Sequence, residues 1–262
     1  MARRPRSGGR GAEGRRFLIF LAKLALAVVL VRSLVAAPFN IPSESMLPAL
    51  MPGDYVLASK WPYGWSRFSF PGSGLPIEGR IGGRLPARGD VVIFRSPPGD
   101  GRDFVKRVIG LPGDRIALRD GQVVLNGTLL PQDRIADFVH PPSPNIGCAA
   151  PAFEDRLAGA LVCRYRRFRE TLPDGRSYAV IDLGARPGDS MAAQTVPAGH
   201  VFLLGDNRDR SADSRGGLGP VPVERLIGRH EATLFSTDGS ATWWQPWTWP
   251  AAARWERVGG QQ

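Results

Sequence analysis

From residue 17 to residue 39 the chain reads FLIFLAKLALAVVLVRSLVAAPF, apolar throughout except for Lys23, Arg32 and Ser33. About 20 apolar residues cross a bilayer as a helix, so the run is long enough to span one. Lys23 lies six residues in from Phe17, roughly 9 Å of helix rise, and its stem can carry the ammonium toward the headgroups. Arg32 can do the same at the far end, and Pro38 is expected to stop the helix. Beyond this run the rhythm shortens. Stretches rich in Val, Ile and Phe recur at 55–58, 90–95, 104–109, 115–118, 122–125, 178–183 and 200–204, each of strand length and bounded by Pro-Gly, Asp-Gly or Asn-Gly. Asp120-Gly121 between IALR and QVVLN is a two-residue hairpin signal. Helical spacing outside the N-terminal run is confined to a short candidate over 151–161. Residues 131–177, with Pro141-Pro142, both cysteines and a basic run at 164–169, read as a less regular insert. The pattern predicts a mainly β protein: one transmembrane helix followed by an antiparallel β ectodomain.

Composition agrees, since 32 glycines and 24 prolines in 262 residues suit short strands joined by turns and disfavour an all-α fold. The net charge of +10 misleads if taken whole. Residues 1–16 carry Arg3, Arg4, Arg6, Arg10, Arg15 and Arg16 against Glu13, whereas residues 40–262 hold 26 bases against 23 acids. The body is therefore no nucleic-acid surface, and no nucleic-acid partner is expected. A basic tail before an apolar span reads as its cytoplasmic flank. The rival reading is a cleaved secretory signal with Val35-Ala36-Ala37 as its small-residue stretch, but Pro38 directly after it and the length of the run count against cleavage. Either way, residues beyond 40 lie across the membrane. An oxidising compartment there permits a disulfide between Cys148 and Cys163, and the sequence leaves their pairing open. Two cysteines without nearby histidines lack the spacing of a metal site, so no metal is expected.

Candidate chemistry starts from what is scarce. The three histidines, His140, His200 and His230, are expected to be surface or half-buried residues, and no G-x-S-x-G turn exists. Of 34 bases only Lys23, Lys60 and Lys106 are lysine. Lys106 sits in FVKRVI, where alternation puts Phe104, Lys106 and Val108 on one face of a strand. Apolar neighbours desolvate a lysine and lower its pKa toward that of a working base, which arginine cannot become. Lys60, before Trp61, reads as a turn residue.

Four blocks then fall in order behind the apolar run: Ser45-Met46-x-Pro48, Arg88-Gly89-Asp90-Val91-Val92-Ile93-Phe94, Phe104-Val105-Lys106-Arg107-Val108-Ile109-Gly110-Leu111-Pro112-Gly113-Asp114, and Gly205-Asp206-Asn207-Arg208-Asp209-x-Ser211-x-Asp213-Ser214-Arg215. Together they resemble the bacterial type I signal peptidases, or leader peptidases. That resemblance implies a Ser-Lys endopeptidase with Ser45 as nucleophile, Lys106 as general base, Ser43 at the oxyanion hole and Ser211 orienting the lysine. Asp206, Asp213 and Arg215 match positions that shape the site. Ile41, Pro42, Met46, Leu50, Phe104 and Val105 match the pockets for small side chains before the cut bond. The implied substrates are preproteins bearing signal peptides cut after small-x-small motifs, with no cofactor. The implied setting is the bacterial inner membrane, with the N-terminus cytoplasmic, the catalytic domain periplasmic, and lipid and the export translocon close by. Residues 39–115 and 198–236 are expected to form the catalytic β core, with a second β subdomain inserted at 116–197 between the 1–16 tail, the 17–38 span and a tail at 237–262. Trp243, Trp244, Trp247, Trp249 and Trp255 in that last tail read as interfacial anchors or as ordinary packing.

The chain departs from the family pattern at Glu44, often Gly, at Ala49, often Thr, at Arg210, often Asn, and over Gly216-Gly217-Leu218-Gly219. Two other readings compete: a specialised Ser-Lys protease of pilin processing, and a non-enzymatic envelope protein with one span.

Overall fold

The computed structural model describes residues 9–70, 72, 76–96, 101–242 and 244–260; Arg3, Arg4, Arg6 and Trp243 lie outside them. Helix α1 (Gly9–Leu30) leaves its apolar side chains from Phe17 to Leu30 exposed. Among the described residues it is the one helix, with its extension to Val35, long and apolar enough to cross a membrane. A single π-helical turn (Val31–Val35) ends it, and strand β1 (Ala36–Asn40) begins before Pro38 is reached. Pro38 was expected to stop the helix; instead it lies inside an edge strand, where a missing N–H costs little. The residue before a proline avoids helical dihedrals, which moves the stop upstream. The junction is pinned by Trp65 Nε1 donating to the Leu34 carbonyl at 2.9 Å and Lys60 N donating to the Val35 carbonyl at 2.8 Å.

After β1 come β2 (Asp54–Ser59), β3 (Val91–Arg95) and β4 (Asp103–Gly110). The hairpin β5 (Arg115–Arg119) and β6 (Gln122–Leu125) turns at Asp120-Gly121, both with positive φ as a two-residue turn requires. Next are β7 (Thr128–Leu129), β8 (Gln132–His140), β9 (Glu154–Leu157), β10 (Ala160–Thr171), β11 (Ser177–Asp182) and β12 (Met191–Thr195). The chain closes with β13 (His200–Leu204), β14 (Val221–Pro222) and β15 (Leu226–Ser236). One seven-stranded antiparallel sheet runs β1-β2-β15-β3-β4-β13-β14; β12-β5-β6-β7 and β11-β10-β8 with β9 form two smaller ones. Ile109 and Phe202 of the large sheet share one buried cluster with Ile116 and Val123 of the second and Val180 of the third.

Two expectations for the insert are corrected. Residues 151–161 hold no α-helix but a 3-10 turn (Pro151–Phe153) and the β9–β10 hairpin, which reverses at Ala158-Gly159 with positive φ at both. The segment called less regular contains β8 and β10, paired from Cys163↔His140 to Glu170↔Gln132. The buried positions of β10 are Val162, Cys163, Tyr165 and Glu170, only one of them a branched aliphatic, and its arginines interrupt the apolar alternation that marks the other strands. Cys148 and Cys163 form a disulfide, with Cα atoms 5.1 Å apart. His140, expected to be a surface or half-buried residue, is buried against Phe138 and Tyr165.

Candidate active site

The turn between β1 and β2 carries Ser45 on a 3-10 turn (Glu44–Met46), seated on the fully buried Met46 and Leu47. Lys106 comes from β4, where it pairs with Val92 of β3. Its Nζ lies 2.7 Å from Ser45 Oγ and donates to the Val105 carbonyl at 3.0 Å. Lys106 is 4% exposed and Ser45 7%, so the contact is dry. Burial lowers the Lys106 amine from its usual 10.5 to about 8, against the opposing pull of the Asp213 and then the Asp206 carboxylates. The Phe104 ring, one strand repeat away, lies 5.5 Å from the amine.

The block after β13 reaches this pair through sheet register. Leu204 pairs with Arg107, which delivers Gly205 and Asp206 beside Lys106. Arg107 holds the Asp206 carboxylate with two hydrogen bonds of 2.8 and 2.6 Å, both side chains buried. Asn207 clamps the Ser45 turn: its N–H donates to the Ser45 carbonyl at 3.1 Å and its Nδ2 to the Glu44 carbonyl at 3.2 Å. Gly205 is required for this approach, because a Cβ there would overlap Ser211 Oγ and come within 2.5 Å of the Ser45 carbonyl oxygen. Gly205 N donates to Asp213, whose carboxylate is paired with Arg215 at 2.9 Å.

Ser43 Oγ lies 3.3 Å from Ser45 Oγ. Ser211 Oγ is buried beside Gly205 and, among the described residues, makes no hydrogen bond, with Lys106 or otherwise. A cleft of about 360 Å³ opens over the pair, lined by Ile41, Pro42, Met46, Phe104 and Val105 together with Phe39, Ile93, Arg102 and Arg210. Leu50 stands apart from these: fully buried, it packs with Ile41 and Met46 in the core rather than lining the cleft.

Three features escaped the sequence reading. Asn207 and Gly205 were seen as motif letters, and nothing in a linear block says that one grips the Ser45 turn while the other makes room for it. Lys60, read as a turn residue, is a second buried lysine. Burial, then the charge of Arg32, lowers its amine to about 8, and it donates to the Ser69 carbonyl, not to Ser45. Its signal was the same scarcity of lysine that singled out Lys106.

A family described as signal peptidase, peptidase S26, matches residues 14–235. The chain belongs to that family. It is 35% identical over 237 residues to a signal peptidase I of Rickettsia typhi (strain ATCC VR-144 / Wilmington), covering 87% of this chain and 81% of the relative. A signal peptidase I of Rickettsia conorii (strain ATCC VR-613 / Malish 7) is 36% identical over 225 residues, 82% of this chain and 77% of the relative. The crystal structure of a signal peptidase I from Enterococcus faecalis V583 matches at 27% identity over 56% of this chain and 97% of that one, with a TM-score of 0.30 too low to bear on the fold. This signal peptidase is thus a hydrolase, and its apolar N-terminal helix fits a membrane-anchored member of the family.

Proposed function

We propose that the protein is a membrane-bound serine endopeptidase that removes N-terminal signal peptides from exported preproteins, with Ser45 as nucleophile and Lys106 as general base. The observation that carries this reading is the 2.7 Å approach of a buried lysine amine to the hydroxyl of the S-M-x-P serine. A neutral amine at that distance takes the hydroxyl proton as the oxygen attacks the scissile carbonyl. The tetrahedral adduct collapses with cleavage of the C–N bond, the ammonium giving that proton to the departing amine, and the again neutral lysine deprotonates the water that hydrolyses the acyl-enzyme and frees Ser45. Desolvation makes the neutral form accessible near neutral pH, which no arginine in its place would allow. The oxyanion is met by the Ser45 N–H and the Ser43 hydroxyl; one such donor lowers a barrier by roughly 3 kcal/mol. Ser211 is assigned to orient the amine, a role for a buried hydroxyl that makes no hydrogen bond among the described residues.

The apolar lining of Ile41, Met46, Phe104 and Val105 in a cleft of about 360 Å³ favours small side chains on either side of a spacer before the cut bond. The basic tail holds the N-terminus in the cytoplasm. Ser45 follows Val35, where the helix ends, by ten residues, at most roughly 36 Å of chain, which keeps the site near the membrane surface where a signal peptide emerges.

Cleavage of a purified preprotein in detergent by wild type, Ser45→Ala and Lys106→Met, with the product N-terminus sequenced, tests the reading. Cutting after a small-x-small motif by wild type alone is the expected result. A Lys106→Met variant that stays active removes the lysine from the mechanism, and a wild type inactive on several preproteins removes the function.

A further inference from the structure

Glu44 stands between Ser43 and Ser45, so its carboxylate is carried on the same short turn as the groups assigned to the nucleophile and the oxyanion. Glu44 does not itself line the cleft, and a negative charge on its turn opposes the charge that develops on the substrate oxygen through space. Arg210, from the block after β13, places its Nε 3.1 Å from Glu44 Oε2. The contact is a charge pairing and not an aligned hydrogen bond, since no donor points along the axis to Oε2. Arg210 also donates from Nη1 to the Ala149 carbonyl at 3.2 Å, and Ala149 N donates to Tyr165 Oη at 2.8 Å, beside the Cys148–Cys163 disulfide. The guanidinium is thereby fixed between the insert and the Ser45 turn, on the wall of the cleft. Both residues are departures from the family pattern, and the fold brings them together.

Resting on the dyad reading above, we propose that Arg210 is a positioning residue that neutralises Glu44 and so protects the oxyanion site from a carboxylate of the protein's own. Partly exposed ion pairs contribute little to stability. This one acts through where its anion sits. Each member alone is a liability, and the two are matched.

The test is a double-mutant cycle on the full-length protein in detergent, reading kcat and KM on a purified preprotein, with Ser45→Ala as background. Arg210→Gln leaves Glu44 unpaired and is expected to lower kcat about tenfold with KM nearly unchanged. Glu44→Gln is expected to change kcat less than about threefold, and the double variant to return to within about threefold of wild type. Arg210→Lys, which keeps the charge, is expected to retain most of kcat. A double variant as slow as Arg210→Gln, or Arg210→Gln indistinguishable from wild type, overturns the pairing. If wild type cuts no better than Ser45→Ala, the dyad reading falls, and this proposal with it.

Discussion

Lys106 shows why residue type and burial have to be considered together. A lysine on the surface is protonated near neutrality and cannot accept a proton. This one lies between Phe104 and Val108 on one strand face, and its loss of water brings the amine to about 8. Since the depressed pKa favours the neutral form as pH rises, kcat/KM is expected to climb from pH 6 and level off above about 8, with a single-proton acid limb. A profile flat across this range counts against Lys106 as the base. Gly205 is the second residue whose identity is set by contact rather than by propensity. Gly205→Ala forces a methyl group into Ser211 and the Ser45 carbonyl, costing about 1–3 kcal/mol of stability and most of the turnover. Denaturant midpoint and kcat measured on the same preparation separate the two effects.

At the level of elements, the site exists because three segments far apart in sequence are placed by one sheet. β4 carries Lys106, β13 pairs with β4 and releases Gly205-Asp206 beside it, and the β1–β2 turn is held against that release by Asn207. The buried Arg107–Asp206 pair is the joint between the first two. Removing one partner leaves the other charged and dry, so Asp206→Ala is expected to lose about 3–5 kcal/mol in urea unfolding. A loss within experimental error of zero would show that the block holds its place without this pair.

For the molecule as a whole, the helix and the sheets are separable in energetic terms. The apolar residues of α1 from Phe17 to Leu30 touch little but solvent, whereas β1 is hydrogen-bonded along β2. Deleting residues 1–30 is therefore expected to leave the thermal midpoint within about 3 °C while abolishing flotation with liposomes. Retained flotation would point instead to the exposed Trp244, Trp247, Trp249 and Trp255. Replacing both cysteines by serine opens a loop with a sequence separation of 15 and is expected to cost about 3 kcal/mol, read from denaturant midpoints under oxidising conditions.

The sequence by itself determined the apolar helix, the β class of the body, the Asp120-Gly121 hairpin and the family, because each rests on local spacing or on contiguous motif letters. It misread residues 131–177, where β10 buries a cysteine, a tyrosine and a glutamate beside Val162 and the alternation of apolar with polar types disappears. Ser45 and Lys106 could be singled out from one chain, but their 2.7 Å approach and the dryness that alters the amine belong to the packing of β1, β3 and β4. The grip of Asn207, the gap at Gly205 and the pairing of Glu44 with Arg210 were decided only by tertiary structure. Their physical reason is the same in each case: a contact between residues separated by more than 150 positions depends on sheet register, and register is a property of the folded chain.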